Sequence, residues 1–350
     1  MSSFASLAKT YSGFSVPTYQ VSVEGTEIQP TMARMASIRV DLSMGAVASA
    51  CRFVLYGIYD RESRSVSSKL LKLLKPGARL AVSLGYVSTV TEVFTGYIAA
   101  VTLHYDLDEQ GVRLEVTGLD ARALMKGSYA RSLEKGKTTK TLIEAALKNY
   151  SPVVSSVDVK LDELTDKIHL AQDGDDLDFV CEAARLRGLY FYIDCGLAYL
   201  GKAKDTVSIA FDWEQCGANL TLNYLNTEHI VQGYNYDEMT PFTARASAKG
   251  LVVQSNSVQT KSVLPLAAYY AGDGARAIVA AAAASDVRAS VGGMMNCAGI
   301  PEPKLGHKLK LNKSPLASAG MGESFVITTI HHDMDDENGY QTTIGFEGPG

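Results

Sequence analysis

The chain has 350 residues, of which 46% are hydrophobic and 20% charged, and its formal net charge is −5. That length provides for two or three packed domains. The acidic balance excludes a protein built to grip nucleic-acid phosphates or an anionic membrane surface. The longest apolar run, Ala277 to Ala284, falls far short of the roughly 20 residues that cross a bilayer.

The N-terminus, Met1 to Lys9, has no charged segment leading into an apolar one, so no signal peptide is expected. The first 120 residues then read mostly as short strands: Tyr19 to Val23, Ile38 to Leu42, Phe53 to Tyr56, Leu80 to Leu84, Phe94 to Leu103 and Val112 to Leu119. Alternation in Leu80-x-Val82-x-Leu84 and Val112-x-Leu114-x-Val116 predicts strands with one buried face. One helix, near Ser65 to Leu74, stops at Pro76-Gly77. These elements predict a closed or nearly closed small barrel covered by a helix.

Residues 121 to 204 change character. Leu142, Ile143, Ala146 and Leu147 fall at helical spacing within Thr138 to Tyr150. A second helix is capped by Asp175 or Asp176 and ended by Gly188, with Arg185 and Arg187 in its last turn. Leu189 to Ile193 and Leu197 to Gly201 follow as a hairpin. From 205 to 350 strands return: Val207 to Phe211, Leu220 to Tyr224, His229 to Tyr236, Thr243 to Ala248, Lys308 to Leu311, Phe325 to His331 and Tyr340 to Phe346. An Ala-rich helix, about Gly274 to Ser290, is predicted among them, ending before Gly292-Gly293, and the polar segment Gln254 to Leu264 reads as an exposed loop or arm. The expected fold class is β-rich α+β: a first tube-like barrel over 1–120, an α/β insert with two helices and a hairpin over 121–204, and a second barrel over 205–350.

The two outer parts resemble each other. Gly77-x-x-Leu80-x-Val82 matches Gly306-x-x-Leu309-x-Leu311, and each glycine has a helix upstream. His104-x-Asp106 leading to Gly111 matches His331-x-Asp333 leading to Gly339. Each match describes a hairpin whose acidic turn ends at a glycine with positive φ. Two similar barrels in one chain let three copies present six equivalent surfaces.

His331, His332 and Asp333, beside Asp335, Asp336 and Glu337, form the densest ligand-like cluster. Adjacent histidines in a strand point to opposite faces, which favours a polar hairpin end over a metal site, and no catalytic, cofactor-binding or metal residue is assigned. Asp175 and Glu182 form an imaginable carboxylate pair for glycoside cleavage, but Asp175 serves better as a helix cap. The acidic stretch Asp173 to Asp178 lacks the ligand series of a calcium loop. Tyr190 and Tyr192 alternate on one strand as a possible glycan platform, and are expected instead against the insert's helix. The five cysteines lie far apart and read as small apolar residues in a reducing compartment.

In order and motif the chain resembles the baseplate hub proteins of contractile phage tails: the late control protein D family and the hub part of type VI secretion spike proteins. The likeness rests on Gly174 to Val180 running into Arg187-Gly-Leu-Tyr-Phe-Tyr192. It extends to Gly299-Ile-Pro301, Gly306-His-Lys-Leu309, Phe325-x-Ile327-x-x-Ile330-His-His332 and Gly339-Tyr-x-Thr-x-Ile344. It spans about residues 20 to 348. It implies a non-enzymatic structural subunit with no cofactor, a homotrimer adapting a sixfold tail tube to a threefold central spike. The implied partners are the tail tube ring, a separately encoded trimeric spike, and the tape measure and other baseplate proteins. It also implies assembly in a bacterial host's cytoplasm into a virion baseplate or injection particle. The alternative reading is a tail-associated peptidoglycan hydrolase or a glycan-binding module.

Overall fold

The computed structural model describes residues 2–60, 62–63, 65–105, 111–128, 138–161, 174–215, 217–222, 226–235, 239–249, 260–263, 272–313 and 323–348. In chain order the first part holds β1 (Ser2–Ser3), α1 (Phe4–Thr10), β2 (Pro17–Val23), β3 (Thr26–Glu27), β4 (Arg34–Ser43), β5 (Ala50–Tyr56), β6 (Tyr59–Asp60), β7 (Ser65–Val66), α2 (Ser68–Leu73), β8 (Arg79–Tyr86), β9 (Thr89–Tyr105) and β10 (Val112–Leu119). The middle holds α3 (Ala121–Met125), α4 (Thr139–Lys148), β11 (Ser156–Val159), α5 (Asp176–Leu186), β12 (Tyr190–Asp194) and β13 (Leu197–Gly201). The last part holds β14 (Val207–Asp212), β15 (Gly217–Leu222), β16 (Asn226–Asn235), β17 (Thr240–Lys249), β18 (Thr260–Val263), α6 (Gly272–Ala289), β19 (Val291–Ala298), β20 (Lys308–Asn312), β21 (Ser324–Asp335) and β22 (Gly339–Glu347).

Period-two alternation builds the sheets. Leu80, Val82 and Leu84 on β8, Cys51, Phe53 and Leu55 on β5, and Leu114 and Val116 on β10 are all fully buried, while their intervening neighbours face outward. The helices carry their own start signals. Asp175 accepts from the Asp178 N–H at 2.8 Å to open α5, and Thr138 Oγ1 accepts from the Thr141 N–H at 3.3 Å to open α4. In the insert, β12 and β13 form the expected hairpin, β11 joins β13 in parallel, and α4 and α5 share their core.

Two strand sets follow one pairing plan. The first runs β2-β8-β9-β10-β5-β4, and the second β14-β20-β21-β22-β19-β15. All pairings beyond the first in each set are antiparallel; β2 is antiparallel to β8, whereas β14 is parallel to β20. The correspondence reaches single hydrogen bonds. Gly77 N donates to Ile98 O at 2.7 Å and Ile98 N to Ala78 O at 2.8 Å; Gly306 N donates to Ile327 O at 3.0 Å and Ile327 N to His307 O at 3.0 Å. Both glycines have positive φ, +88° and +73°, as the turn requires. The register then slips by one residue at the same place, between Ile98 and Ala100 in β9 and between Ile327 and Thr329 in β21. Gly111 and Gly339, at φ +69° and +70°, lead into β10 and β22.

This register corrects the histidine match. With Ile98 aligned on Ile327, His104 takes the place of Asp333, and the His-x-Asp likeness is displaced by two residues. Asp106 lies outside the described residues. The upstream helices also differ in place: α2 sits between β5 and β8, whereas α6 sits between β15 and β19. Gly292-Gly293, expected to follow the helix as a stop, lies inside β19, where neighbours β15 and β22 supply the backbone partners.

No closed barrel forms among the described residues. Both sets belong to one 14-stranded mixed sheet, because β4, the last strand of the first set, pairs with β21 of the second instead of closing on its own set. One core therefore runs through both sets. The Ala-rich α6 packs Ala275, Ile278 and Val279 against the β16–β17 hairpin, and Ala281 lies against Gly188. Of the segment expected as an arm, Thr260–Val263 pairs with β16 as β18, and residues 254–259 and 264 lie outside the described residues. No helix among the described residues is long and apolar enough to cross a membrane.

Candidate functional site

A row of charged and polar side chains lies where the two strand sets meet. On β4, Ile38, Val40 and Leu42 turn inward and Arg39 and Asp41 outward; on β21, Ile330, His332 and Met334 turn inward and His331 and Asp333 outward. The antiparallel register sets Leu42 opposite Ile330, Asp41 opposite His331, Val40 opposite His332, Arg39 opposite Asp333 and Ile38 opposite Met334. The inner pairs continue the shared core. The outer pairs are polar: His331 Nδ1 lies 2.7 Å from Asp41 Oδ1, and Arg39 donates to Asp333 Oδ2 from Nη2 at 2.6 Å and Nε at 3.2 Å. At the end of the join Arg34 Nη2 meets Asp336 Oδ2 at 2.6 Å.

These contacts account for the acid–base behaviour. The hydrogen bond from His331 holds the Asp41 carboxyl below the usual carboxylate range, and the bond to Asp333 raises the Arg39 guanidinium. Burial pushes His332 down to about 3, so it is neutral in the folded chain. Its Nδ1 lies 3.0 Å from the Tyr340 hydroxyl and 3.2 Å from Thr342 Oγ1. The two adjacent histidines thus face opposite sides of the sheet, one in the core and one hydrogen-bonded to Asp41. No group of His, Cys, Asp and Glu suited to a metal ion occurs among the described residues. The arrangement is a joint between strand sets. Its ion pairs are exposed, with Arg39 and Asp333 side chains at 60% and 42% accessibility, so Arg39→Ala is expected to cost under about 1 kcal/mol in denaturant unfolding.

A second charged set anchors the same region from inside. Asp120, at the end of β10, accepts from Arg122 Nε at 3.0 Å, Arg122 Nη2 at 2.6 Å and the Ser49 N–H at 2.9 Å. Arg122, fully buried, also donates to Gly45 O at 3.0 Å and Ser49 Oγ at 2.8 Å. This network ties the turn between β4 and β5 to the entry of the insert. Sequence reading did not single out these two residues; the only local signal is an acidic residue two positions before an arginine at a strand end.

The other residues singled out from the sequence lie apart from the join. Asp175 caps α5 and also accepts from the Gly127 N–H at 2.8 Å, while Glu182 is held bidentately by Arg185 at 2.6 Å. The structure therefore uses the two carboxylates separately. Asp173 lies outside the described residues. Tyr190 and Tyr192 do not pack against the insert's helix as expected. Residues alternate across β12, so Phe191 and Ile193 take that side. Tyr192 turns to the main core against Tyr199 and Gly306, and the Tyr190 hydroxyl donates to Glu347 at 2.8 Å.

No curated protein matches the chain in sequence. Solved structures match its fold closely. The 43 kDa tail protein of prophage MuSo2 from Shewanella oneidensis aligns with a TM-score of 0.67 at 16% identity, covering 95% of this chain and 98% of its own. The tail protein from Neisseria meningitidis MC58 aligns at 0.66 and 12% identity, covering 95% and 96%. The E. coli c3393 protein is a component of the type VI secretion system described as similar to the T4 tail proteins gp27 and gp5. It aligns at 0.54 and 11% identity, covering 94% and 76%. The fold is that of phage tail proteins. Residues 14–210, which hold β2 to β13 and most of β14, match the family model described as the Alg8 N-terminal domain; that is more than half of the chain, and the chain belongs to that family.

Proposed function

We propose that the chain is a structural hub subunit of a contractile tail or injection particle. In this reading residues 1–120 and 205–350 are two related tube-type barrel domains joined by the insert at 121–204. Three copies form a ring with six similar faces on one side, which adapts a sixfold tail tube to a threefold spike. The observation that carries it is the pairing plan that occurs twice in one chain, matched down to the hydrogen bonds at Gly77 and Gly306. The tail-protein folds of the solved neighbours support the same reading. Duplicated units in a homotrimer supply six places from three chains, which is the symmetry conversion a hub performs.

Native mass spectrometry and particle imaging test this, on the purified chain alone and with a tail tube protein. The expected results are a three-chain particle and rings that cap the tube. A chain that stays monomeric with and without tube protein would overturn the reading. Release of muropeptides from peptidoglycan by the purified chain would replace it with the hydrolase reading.

A further inference from the structure

Residues 2–16, for which the sequence predicts no element, form a strap that bridges the two strand sets. β1 adds in parallel to β14, with Ser2 opposite Ile209 and Ser3 opposite Ala210. α1 follows, opened by Ser3 and Ser6, whose hydroxyls each accept from the other's backbone N–H at 3.2 Å. Leu7 within it and Tyr11 just behind it are buried. Phe4 stacks on Phe211 of β14, with ring centres 5.0 Å apart, and on Phe14 at 5.3 Å. Tyr11 and Phe14 then meet Tyr86, the last residue of β8, at 5.1 and 5.5 Å. The strap thus touches the second set at one end and the first set at the other. The bend between α1 and β2 is strained. Ser12 and Phe14 have φ of +49° and +62°, where residues other than glycine are disfavoured. Contacts with the two sets, not local preference, therefore hold the strap down.

One of those contacts is titratable. The Tyr11 hydroxyl donates to Glu302 Oε1 at 2.5 Å. Glu302 lies in the loop between β19 and β20, and its Oε2 is buried without a hydrogen-bond partner. Burial pushes this carboxyl above the usual carboxylate range, against the pull of the Tyr11 bond. The other groups facing it are phenols: Tyr86 from β8, whose hydroxyl donates to Gly299 O at 2.9 Å, and Tyr340 from β22. Burial raises all three tyrosines, so they keep their protons through the neutral range. Cys297, at the end of β19, lies beside Tyr86 and Tyr340. Lys304, two residues along the loop, turns to Asp194 at 3.8 Å. His332 stacks beside Tyr340 and is neutral. The strap's own Lys9 is exposed. Among the described residues no cation is paired with Glu302.

We infer that residues 2–16 are a pH-sensitive strap, latched by the Tyr11–Glu302 hydrogen bond and held more tightly in mild acid than at alkaline pH. Protonation at Oε2 removes the buried charge and leaves the bond from Tyr11 to Oε1 intact. When the strap lifts, Tyr11 leaves and water reaches the carboxylate, which returns to its ordinary range. The closed strap therefore binds the proton more tightly than the open one. Closure gained from this group is complete below the ordinary carboxylate value and is lost as the pH rises through the raised one. Opening uncovers the aromatic faces of Phe211 and Tyr86. It also bares the outer edge of β14, which among the described residues only β1 covers. A bare strand edge is open to other backbones, so the strap governs when this one is available.

Hydrogen–deuterium exchange of the full chain, corrected for the intrinsic rate at each pH, reads the strap directly. Residues 2–16 are expected to exchange about threefold more slowly, or slower still, at pH 5 than at pH 8. His332 acts in the opposite direction and on the whole fold, and β8 and β20 report that global opening. Glu302→Gln should bring the strap at pH 8 to about the slow rate that the natural chain shows at pH 5, and should flatten the pH dependence. Tyr11→Phe should speed the strap about tenfold at pH 8, where it leaves the carboxylate without its donor, and less at pH 5. Adding Glu302→Met to Tyr11→Phe should restore slow exchange, which separates loss of the latch from loss of folding. A strap with the same corrected rate at both pH values overturns the inference, as does a Glu302→Gln chain that keeps the natural pH dependence. Exchange of residues 2–16 only together with β8 and β20 also overturns it. None of these outcomes bears on the hub reading.

Discussion

Asp120→Ala is expected to destabilise the chain by about 3–5 kcal/mol, a large share of the roughly 5–15 kcal/mol that holds a domain folded. The reason is the state in which it leaves Arg122. That guanidinium is fully buried, and Asp120 takes two of its hydrogen bonds as well as the Arg122 and Ser49 backbone N–H groups. Without the carboxylate a charge stays in the core with only Gly45 O and Ser49 Oγ to meet it. Replacing both partners removes the charge together with its counter-charge, so Asp120→Leu with Arg122→Met should recover most of the loss. Urea unfolding of the two single variants and the double variant measures this directly. A small loss in Asp120→Ala, or additive losses in the double variant, would refute the account. The part that loses its anchor in either single variant is the β4–β5 turn, so the damage should spread to the β4–β21 join.

The second large effect is acid sensitivity centred on His332. Its folded-state value lies near 3, below the ordinary 6.5 of the unfolded chain, chiefly because burial disfavours the charged ring. Between those two values the unfolded chain binds a proton that the folded chain does not. Stability from this residue is therefore complete above about pH 6.5 and is lost as the pH falls, by about 1.4 kcal/mol per unit. At pH near 4.5 the loss amounts to roughly 2–3 kcal/mol. His332→Asn keeps a polar group near Tyr340 and Thr342 and cannot take the proton. Its melting temperature should be lower than that of the natural chain at pH 7 but should change less between pH 7 and 4.5. Equal pH dependence in the two proteins would show that His332 is not the group responsible. Asp41 adds a further loss at lower pH, because its depressed carboxyl stabilises the fold only while it stays ionised.

Much of the candidate site was written locally. The alternation on β21 already placed His331 and His332 on opposite faces, and the structure puts one in a hydrogen bond with Asp41 and the other in the core. Gly77, Gly111, Gly306 and Gly339 mark the turns of the two strand sets, and all four take positive φ. The cap at Asp175 was legible because its acceptor and donor lie three residues apart. What was not legible depends on residues far apart in the chain. Arg39 and Asp41 appear only as outward charges on β4 until β21 arrives opposite them. Asp120 and Arg122 gain their meaning from Gly45 and Ser49 in another turn. The histidine match misled because two short acidic hairpins look alike at any offset, whereas the hydrogen bonds at Ile98 and Ile327 allow only one.

The amino-acid sequence by itself determined which face of β5, β8 and β10 is buried, where α4 and α5 start, and that the two ends share glycine-marked turns. These features follow from side-chain period, capping and backbone φ, all of which act within a few residues. Only the tertiary structure decided that β4 joins β21 and that the Ala-rich helix sits in a different slot from α2. Strand edges pair through backbone N–H and C=O groups that every residue carries, so the choice of partner is made by the packing of the whole core and not by any local pattern.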